Sequence, residues 1–191
     1  MKVKDQAKEM RIKEVTKKLV AQEGMAGVKI SKVAKEAGLS PSMIYTYFRN
    51  KEELVESIFW EVAKKIFSRL EDKRDTNLPF KLQFRRSFKD MIELKLSKSL
   101  EFEYFSSFVK SPFFKAEYHQ MILDNSKGLI ELINEGRKDL IIKDDVPVDL
   151  ILALGGGFVE KLIEFHHNGI LELDETIINK AFDIFWDGIK Q

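Results

Sequence analysis

The stretch KISKVAKEAGLSPSMIYTYFRNKEEL, Lys29–Leu54, decides how this chain is read. It sets Ile30, Val33, Ala34 and Ala37 at i, i+3, i+4 and i+7, the spacing of one apolar helix face. Gly38 ends that helix, because glycine takes a left-handed conformation without a Cβ penalty. Ser40 is a good N-cap, and Pro41 suits the first helical position, where its missing N–H is no loss. A further short helix therefore starts at Pro41. After Phe48 the chain resets: Asn50 caps and Glu53 follows three residues later, a capping-box variant that opens a longer helix through Leu54, Ile58, Val62 and Ile66. Two short helices about a Gly-Leu-Ser break form a helix-turn-helix, in which the first crosses a DNA backbone and the second lies in the major groove. Leu39, Ile44 and Phe48 supply the apolar side chains that pin the second helix to the first. The opposite face then presents Pro41, Ser42, Met43, Tyr45, Thr46 and Tyr47 outward in varying degree.

Two readings fit the tyrosines. Tyr45 and Tyr47 either pack on the preceding helix with exposed hydroxyls or reach a phosphate backbone. Lys51 stands in the first turn of the longer helix, where a cation opposes the helix macrodipole. A phosphate there would compensate both the lysine and the unsatisfied N–H groups of the helix start.

Working outward, nearly every other segment has helical period, and no strict alternation is long enough to suggest a sheet strand, so an all-α fold is expected. Ile12, Val15 and Leu19 line a first helix from roughly Lys4 to Gln22, ended by Gly24 and Gly27. Beyond a polar linker, Asp72 to Pro79, helices are expected over about Phe80–Ser97, Leu100–Lys110, Phe113–Lys138, Val148–His167 and Asp174–Lys190. Ser111-Pro112, Asp144 to Pro147 and Asn168-Gly169 punctuate them. The architecture is an N-terminal three-helix unit joined by a shared fourth helix to a larger helical bundle.

The 191 residues are 44% hydrophobic, enough for one sizeable core or two small ones. There is no cysteine, which excludes disulfides, thiol nucleophiles, Cys-ligated zinc and iron–sulfur clusters. The start, MKVKDQAKEMRIKEV, lacks the apolar core of a signal peptide, and the most apolar later run, Val146–Ile163, is interrupted by Asp149 and Glu160. A soluble, cytoplasmic protein without membrane contact is expected. The net charge of +1 hides an asymmetry: 12 Lys and Arg stand against 5 Asp and Glu through Lys51, and 20 against 26 beyond it. A basic end is the electrostatic footprint of a nucleic-acid-binding module, because Lys and Arg replace counterions along phosphates. A solvated lysine-rich helix face also accounts for it, so charge alone does not choose.

ISKVAKEAGLSPSMIYTYFRNKEEL resembles the N-terminal module of the TetR family of bacterial transcriptional regulators. Val33-Ala34, Ala37-Gly38-Leu39-Ser40, Ile44-Tyr45, Tyr47-Phe48, Lys51 and Leu54 all fall in register with that family's pattern. INEGRKDLIIKDDVPVDL, residues 133–150, resembles the segment between the family's seventh and eighth helices. The resemblance implies a helix-turn-helix DNA-binding domain over residues 1–50 and a ligand-binding and dimerisation domain over residues 51–191. It further implies that Pro41, Ser42, Met43 and Thr46 face the groove, that Tyr45, Tyr47 and Lys51 anchor phosphates, and that Lys32 is a further phosphate contact. Two positions depart from the pattern. Lys29 stands where the family often caps the second helix with Thr, and Pro41 cannot hydrogen-bond a base edge. With Met43 also apolar, readout leans on shape and phosphates more than on base hydrogen bonds.

In the C-terminal part, aromatic residues accumulate from Phe102 to Tyr118. They are either core or the wall of a ligand chamber. The family resemblance favours a chamber for an apolar or aromatic small-molecule inducer, with Phe102, Tyr104, Phe105, Phe108, Tyr118, His119, Asn125 and Glu160 as candidate contacts. Gly155-Gly156-Gly157 inside a helical run marks either a close approach or a break. In the family the last two helices form a four-helix dimer interface, which here implies Gly155, Gly156, Phe158, Phe182, Phe185 and Trp186. The last helix, with Ile178, Ala181, Phe182, Phe185, Trp186 and Ile189, has too broad an apolar surface for one face. His166 and His167 are adjacent, so on a helix they point about 100° apart and do not converge on a metal. Phosphate loops of the Gly-rich Lys-Ser/Thr type are absent, and spacing alone argues for no Ser/His/Asp or paired-carboxylate arrangement. A non-enzymatic regulator without cofactor or metal is expected, acting as a homodimer on an operator and released by a small molecule. The alternative is a DNA-bound interaction protein of the same fold that acts through a protein partner.

Overall fold

The computed structural model describes residues 5–72, 75, 77–97 and 99–191. Among these lie ten α-helices: α1 Gln6–Glu23, α2 Ile30–Ala37, α3 Pro41–Tyr47, α4 Lys51–Asp72, α5 Phe80–Leu96, α6 Leu100–Val109, α7 Ala116–Asn125, α8 Lys127–Lys138, α9 Val148–His167 and α10 Glu175–Ile189. The all-α expectation holds: outside these helices the described residues add a 3₁₀ turn, Met25–Gly27, and an isolated bridge between Ile142 and Lys190. The expected start of α1 at Lys4 lies outside the described residues; Asp5 caps the helix through the Ala7 N–H at 3.0 Å. The stretch expected as one helix over Phe113–Lys138 is two, α7 and α8, parted at Ser126. Asp124-Asn125-Ser126 offers three short polar side chains that compete with the helical ladder for backbone groups, the property that makes such residues turn formers.

Contacts divide the chain into two compact units, residues 1–66 with 98–122 and residues 67–97 with 123–191. By these contacts α6 and most of α7 belong with the helix-turn-helix.

In the first unit α1 packs on α2 and α6. Its core holds Ile12, Leu19, Val33, Ala34, Ala37, Ile44, Phe48, Leu54, Ile58 and Phe59. Gly38 closes α2 at φ 65°, with Leu39 N–H bonded to the Ala34 carbonyl at 2.9 Å and Gly38 N–H to that of Lys35 at 3.1 Å. Lys17 is buried on α1, its ammonium 2.5 Å from Glu14 and 3.9 Å from Glu101 of α6.

The second unit is built around Phe84, Phe88 and Ile92 of α5, Leu132 and Ile133 of α8, Val159 and Leu162 of α9, and Phe182, Phe185 and Trp186 of α10. A polar seam runs along α5 and α10, from Lys81 and Arg85 on Asp183, both at 3.2 Å, to Lys89 on Glu175 at 3.1 Å. The chain end is stitched to the α8–α9 connection by Lys143 N–H to the Ile189 carbonyl and Gln191 N–H to that of Ile141.

The end of α8 sets up a local conflict. Ile141 N–H bonds to the Gly136 carbonyl and Leu140 N–H to that of Arg137, the same six-residue closure that Gly38 and Gly169 make elsewhere. Here the left-handed position is held by Leu140, at φ 56° and 72% exposed. Leu140→Gly is expected to raise unfolding stability by about 0.5–1 kcal/mol, because the strain disappears and no buried contact is lost. Gly136→Ala is expected to lower it by about 2–3 kcal/mol, since its Cβ would stand 2.3 Å from Phe80 and 2.7 Å from Ile142. Urea denaturation of both variants checks the opposite signs.

Candidate nucleic-acid interface

Helix α3 is a short element whose start is fixed by side chains. Ser40 is extended, at φ −81° and ψ 153°, and its Oγ accepts from Met43 N–H at 3.2 Å, with Pro41 in the first turn. Lys29, at the N-cap of α2, makes no side-chain capping bond, as its departure from the family pattern implies. Ile44 is fully buried and Phe48 nearly so, which clamps α3 down on α2. Pro41, Ser42, Met43, Tyr45 and Thr46 are all exposed. Tyr47 is not: only 8% exposed, it is turned inward, contrary to the outward placement expected from the sequence. The signal was in the spacing, since residue 47 is i+3 from the buried Ile44 and shares its face. Lys32 forms an ion pair with Glu23, so a phosphate at that position competes with a carboxylate.

The start of α4 closes the motif. Asn50 Oδ1 accepts from Glu53 N–H at 2.8 Å, and the Glu53 carboxylate accepts from the N–H of Arg49 at 2.7 Å, one residue earlier than a reciprocal capping box on Asn50 requires. Lys51, in the first turn, has its Nζ 3.5 Å from the Met25 carbonyl and 5.2 Å from the centroid of the Phe113 ring.

The aromatic residues singled out in α6 and α7 gather on α4. Phe59 lies at their centre, stacked on Phe108 at 4.2 Å and Phe105 at 5.5 Å, with Tyr118 at 6.2 Å; Phe102 joins through Phe105 at 6.4 Å. Tyr104, fully buried, donates its hydroxyl to the Val55 carbonyl at 2.9 Å, and burial pushes its pKa far up, so it stays a donor. Tyr118 donates to Glu56 at 2.7 Å, and Lys115 pairs with the same carboxylate at 3.0 Å. Burial alone would raise the Glu56 pKa, but the Tyr118 and Lys115 contacts outweigh it and hold it below its ordinary value. The hydrogen bonds with Tyr118 and Glu56 raise that of Lys115. His119 is exposed, and the side chain of Asn125 lies outside the described residues.

The remaining site residues fall in the second unit. Glu160 pairs with Lys95 at 2.6 Å and does not belong to the Phe59 cluster. Phe182, Phe185 and Trp186 are buried in their own chain, at 0%, 7% and 6% exposed, so the surplus apolar surface expected of α10 is used internally. Phe158 is half-buried and packs against the same core. An added Cβ on Gly155 would stand 3.2 Å from the Phe185 ring, which gives that glycine the role of a close approach. Gly156 and Gly157 continue the helix and face open space. The exposed large apolar residues of α9 and α10 are Leu150, Leu154 and Ile184, none of them singled out from sequence. No group of three or more His, Cys, Asp or Glu residues among those described could hold a metal ion, and no described helix is long and apolar enough to cross a membrane.

Residues 12–58 match the family model described as bacterial regulatory proteins, tetR family. A protein of Haemophilus influenzae described as an uncharacterised HTH-type transcriptional regulator is 37% identical over 76 residues, a stretch that takes in 40% of this chain and 41% of that one. Among solved structures, a TetR family transcription regulator from Marinobacter aquaeolei VT8 superposes with a TM-score of 0.84 over 100% of both chains at 24% identity. The transcriptional regulator FadR from Bacillus subtilis in complex with stearoyl-CoA does so at 0.71, over 94% of this chain and 98% of that one at 22% identity. Residues 12–58 thus match the tetR family's regulatory module, the chain spans less than half the length of the curated relative it matches, and the whole chain has the fold of solved TetR family regulators.

The Glu56–Lys115–Tyr118 group sets a pH expectation. A lowered carboxylate pKa contributes stability above its ordinary value of 4.5 and loses it as pH falls through the lowered value. A raised lysine pKa contributes below 10.5 and loses it as pH rises through the raised value. The stability difference between the native chain and Glu56→Gln should therefore be flat across neutral pH and shrink in acid. Chemical denaturation as a function of pH checks this, and a difference that persists unchanged in acid contradicts it.

Proposed function

We propose that this TetR-family chain is a homodimeric repressor that holds a palindromic DNA operator through α3 and releases it when a small apolar molecule binds. The observation that carries the reading is the face of α3. Pro41, Ser42, Met43, Tyr45 and Thr46 stand in solvent on a helix clamped from below by Ile44, Tyr47 and Phe48. Exposed Met and Tyr side chains on so short a helix add nothing to this chain's own core. Apolar groups at 41 and 43 suit contact with thymine methyls and groove shape, while Tyr45 and Lys51 supply phosphate contacts. Residues 1–50, with Lys51 at their edge, then read DNA, and the rest of residues 51–191 takes the ligand and the partner subunit, in a cytoplasmic protein.

Leu150 and Leu154 of α9 and Ile184 of α10, 58%, 44% and 66% exposed, supply the apolar face for a second copy, with Gly156 and Gly157 leaving room for close helix approach. Two such subunits would set their reading helices about 34–36 Å apart. For the ligand, the aromatic residues of α6 and α7 favour an apolar molecule, and the relative solved with stearoyl-CoA makes a long-chain acyl thioester the first compound to try.

Genome-wide mapping of binding sites, followed by footprinting with and without stearoyl-CoA, tests the reading. Few palindromic sites, released by ligand, support it; many sites that no ligand releases favour a DNA platform for a protein partner. Lys51→Ala should weaken binding without changing the preferred sequence and lower the slope of log affinity against log salt by about one. Leu154→Asp should shift the dimer to monomer in sedimentation and weaken operator binding, whereas a monomeric native chain at micromolar concentration contradicts the dimer.

A further inference from the structure

We infer that Phe113, on the connection between α6 and α7, is a positioning residue for the DNA contact made by Lys51. The inference rests on the DNA-binding reading above and extends the binding apparatus beyond residues 12–58, the part that matches the family model.

Lys51 carries a long side chain with four rotatable bonds, and left in solvent it would lose conformational entropy on reaching a phosphate. Here it is half-buried and held at two points. The Met25 carbonyl stands 3.5 Å from Nζ, and the Phe113 ring centroid 5.2 Å from it. An ammonium within about 6 Å of a ring centroid is attracted by the negative face of the ring. Neither contact carries a negative charge, and both restrict the direction of the lysine. Glu52 and Glu53 follow it, but the Glu53 carboxylate is turned back onto Arg49.

Phe113 is itself fixed from behind. Ser111 Oγ donates to the Phe108 carbonyl at 2.7 Å and accepts from Phe113 N–H at 3.3 Å. Phe114 N–H bonds to the Ser111 carbonyl at 3.1 Å, and Pro112 restricts the backbone between them. Phe108, which accepts from Ser111, is fully buried and stacks on Phe59 of α4. Two residues after Phe113, Lys115 pairs with Glu56, five residues along α4 from Lys51. The connection is therefore braced on α4 at both of its ends, and the ring between them rests against the first residue of that helix.

The test is a double-mutant cycle on DNA binding in the full-length chain. The probe is the duplex that the native protein selects from a randomised library. Phe113→Ala and Phe113→Leu should each weaken binding about two- to fivefold and move the salt slope towards that of Lys51→Ala, because Leu keeps apolar bulk but no ring face. Phe113→Trp should restore native binding. In the Lys51→Ala background, none of the Phe113 substitutions should change affinity further. A Phe113→Leu chain that binds like the native one overturns the inference, as does an equal loss in both lysine backgrounds, which marks Phe113 as merely structural. Thermal midpoints of all variants separate a folding defect from a binding one, with Phe113→Leu and Phe113→Trp as the variants read if Phe113→Ala does not fold. Failure of the native chain to select any duplex overturns the DNA-binding reading and this inference together; selection with native-like Lys51 behaviour but no coupling overturns this inference alone.

Discussion

Helix α4 presents Leu54, Val55, Ile58, Phe59, Val62, Ala63 and Ile66 as one buried stripe, two adjacent positions in nearly every turn. A stripe that wide exceeds what one neighbouring helix covers, so α4 is stable only with partners on two flanks. The helix-turn-helix supplies one and α6–α7 supplies the other. The second grip is polar as well as apolar: Tyr104 on the Val55 carbonyl, Tyr118 and Lys115 on Glu56, and Phe108 stacked on Phe59. Each of these falls in the first three turns of α4, immediately behind the cap that terminates the DNA-reading motif. The position of Lys51 in space, and through Phe48 and Leu54 the seat of α3, follow from that grip.

Much of the first unit was legible because it is local. Ser40 with Pro41, Gly38 and Asn50 with Glu53 each set an element boundary within a few residues, and the structure places those boundaries there. Tyr47 was misplaced because an aromatic run hides its own period: in Ile44-Tyr45-Thr46-Tyr47-Phe48 the buried face takes 44, 47 and 48 and leaves 45 and 46. The α7–α8 break was missed because Ser126 sits inside an apolar period that continues on both sides. What no local rule could supply is the pairing of distant segments. That α6 and α7 belong with the reading head, while Glu160 belongs elsewhere, depends on contacts such as Tyr104 to Val55, forty-nine residues apart.

The same limit explains α10. Its sequence shows a broad apolar surface, and counting alone cannot say whether it is covered by α5 or by a second copy. The structure gives Phe182 and Trp186 to the α5 side, where Lys81 lies over both rings at 5.8 and 5.6 Å and Arg85 over Phe182 at 5.0 Å. Cations over aromatic faces let α5 carry charge to the rim of a core that would otherwise end in a greasy edge. The apolar residues left over, Leu150, Leu154 and Ile184, are fewer and smaller than the ones the sequence drew attention to. A pairing surface is therefore read from what the monomer leaves uncovered and not from the most hydrophobic helix.

These placements constrain how a ligand could act on DNA binding. A small molecule alters affinity for DNA only by contacting two arrangements of the protein differently. The α6–α7 connection has one side in the Phe59 cluster and the other on Lys51, with Ser111 hydrogen-bonded to both Phe108 and Phe113 between them. On the proposed reading the linkage would run both ways: a phosphate contact that ordered Lys51 would favour the ordered Phe113 ring by the same coupling free energy. The ion pair beside this turn, Glu56 with Lys115, has its carboxylate pKa lowered and its lysine pKa raised, so neither partner titrates near neutral pH. Its bracing of the connection is therefore constant with pH near neutrality.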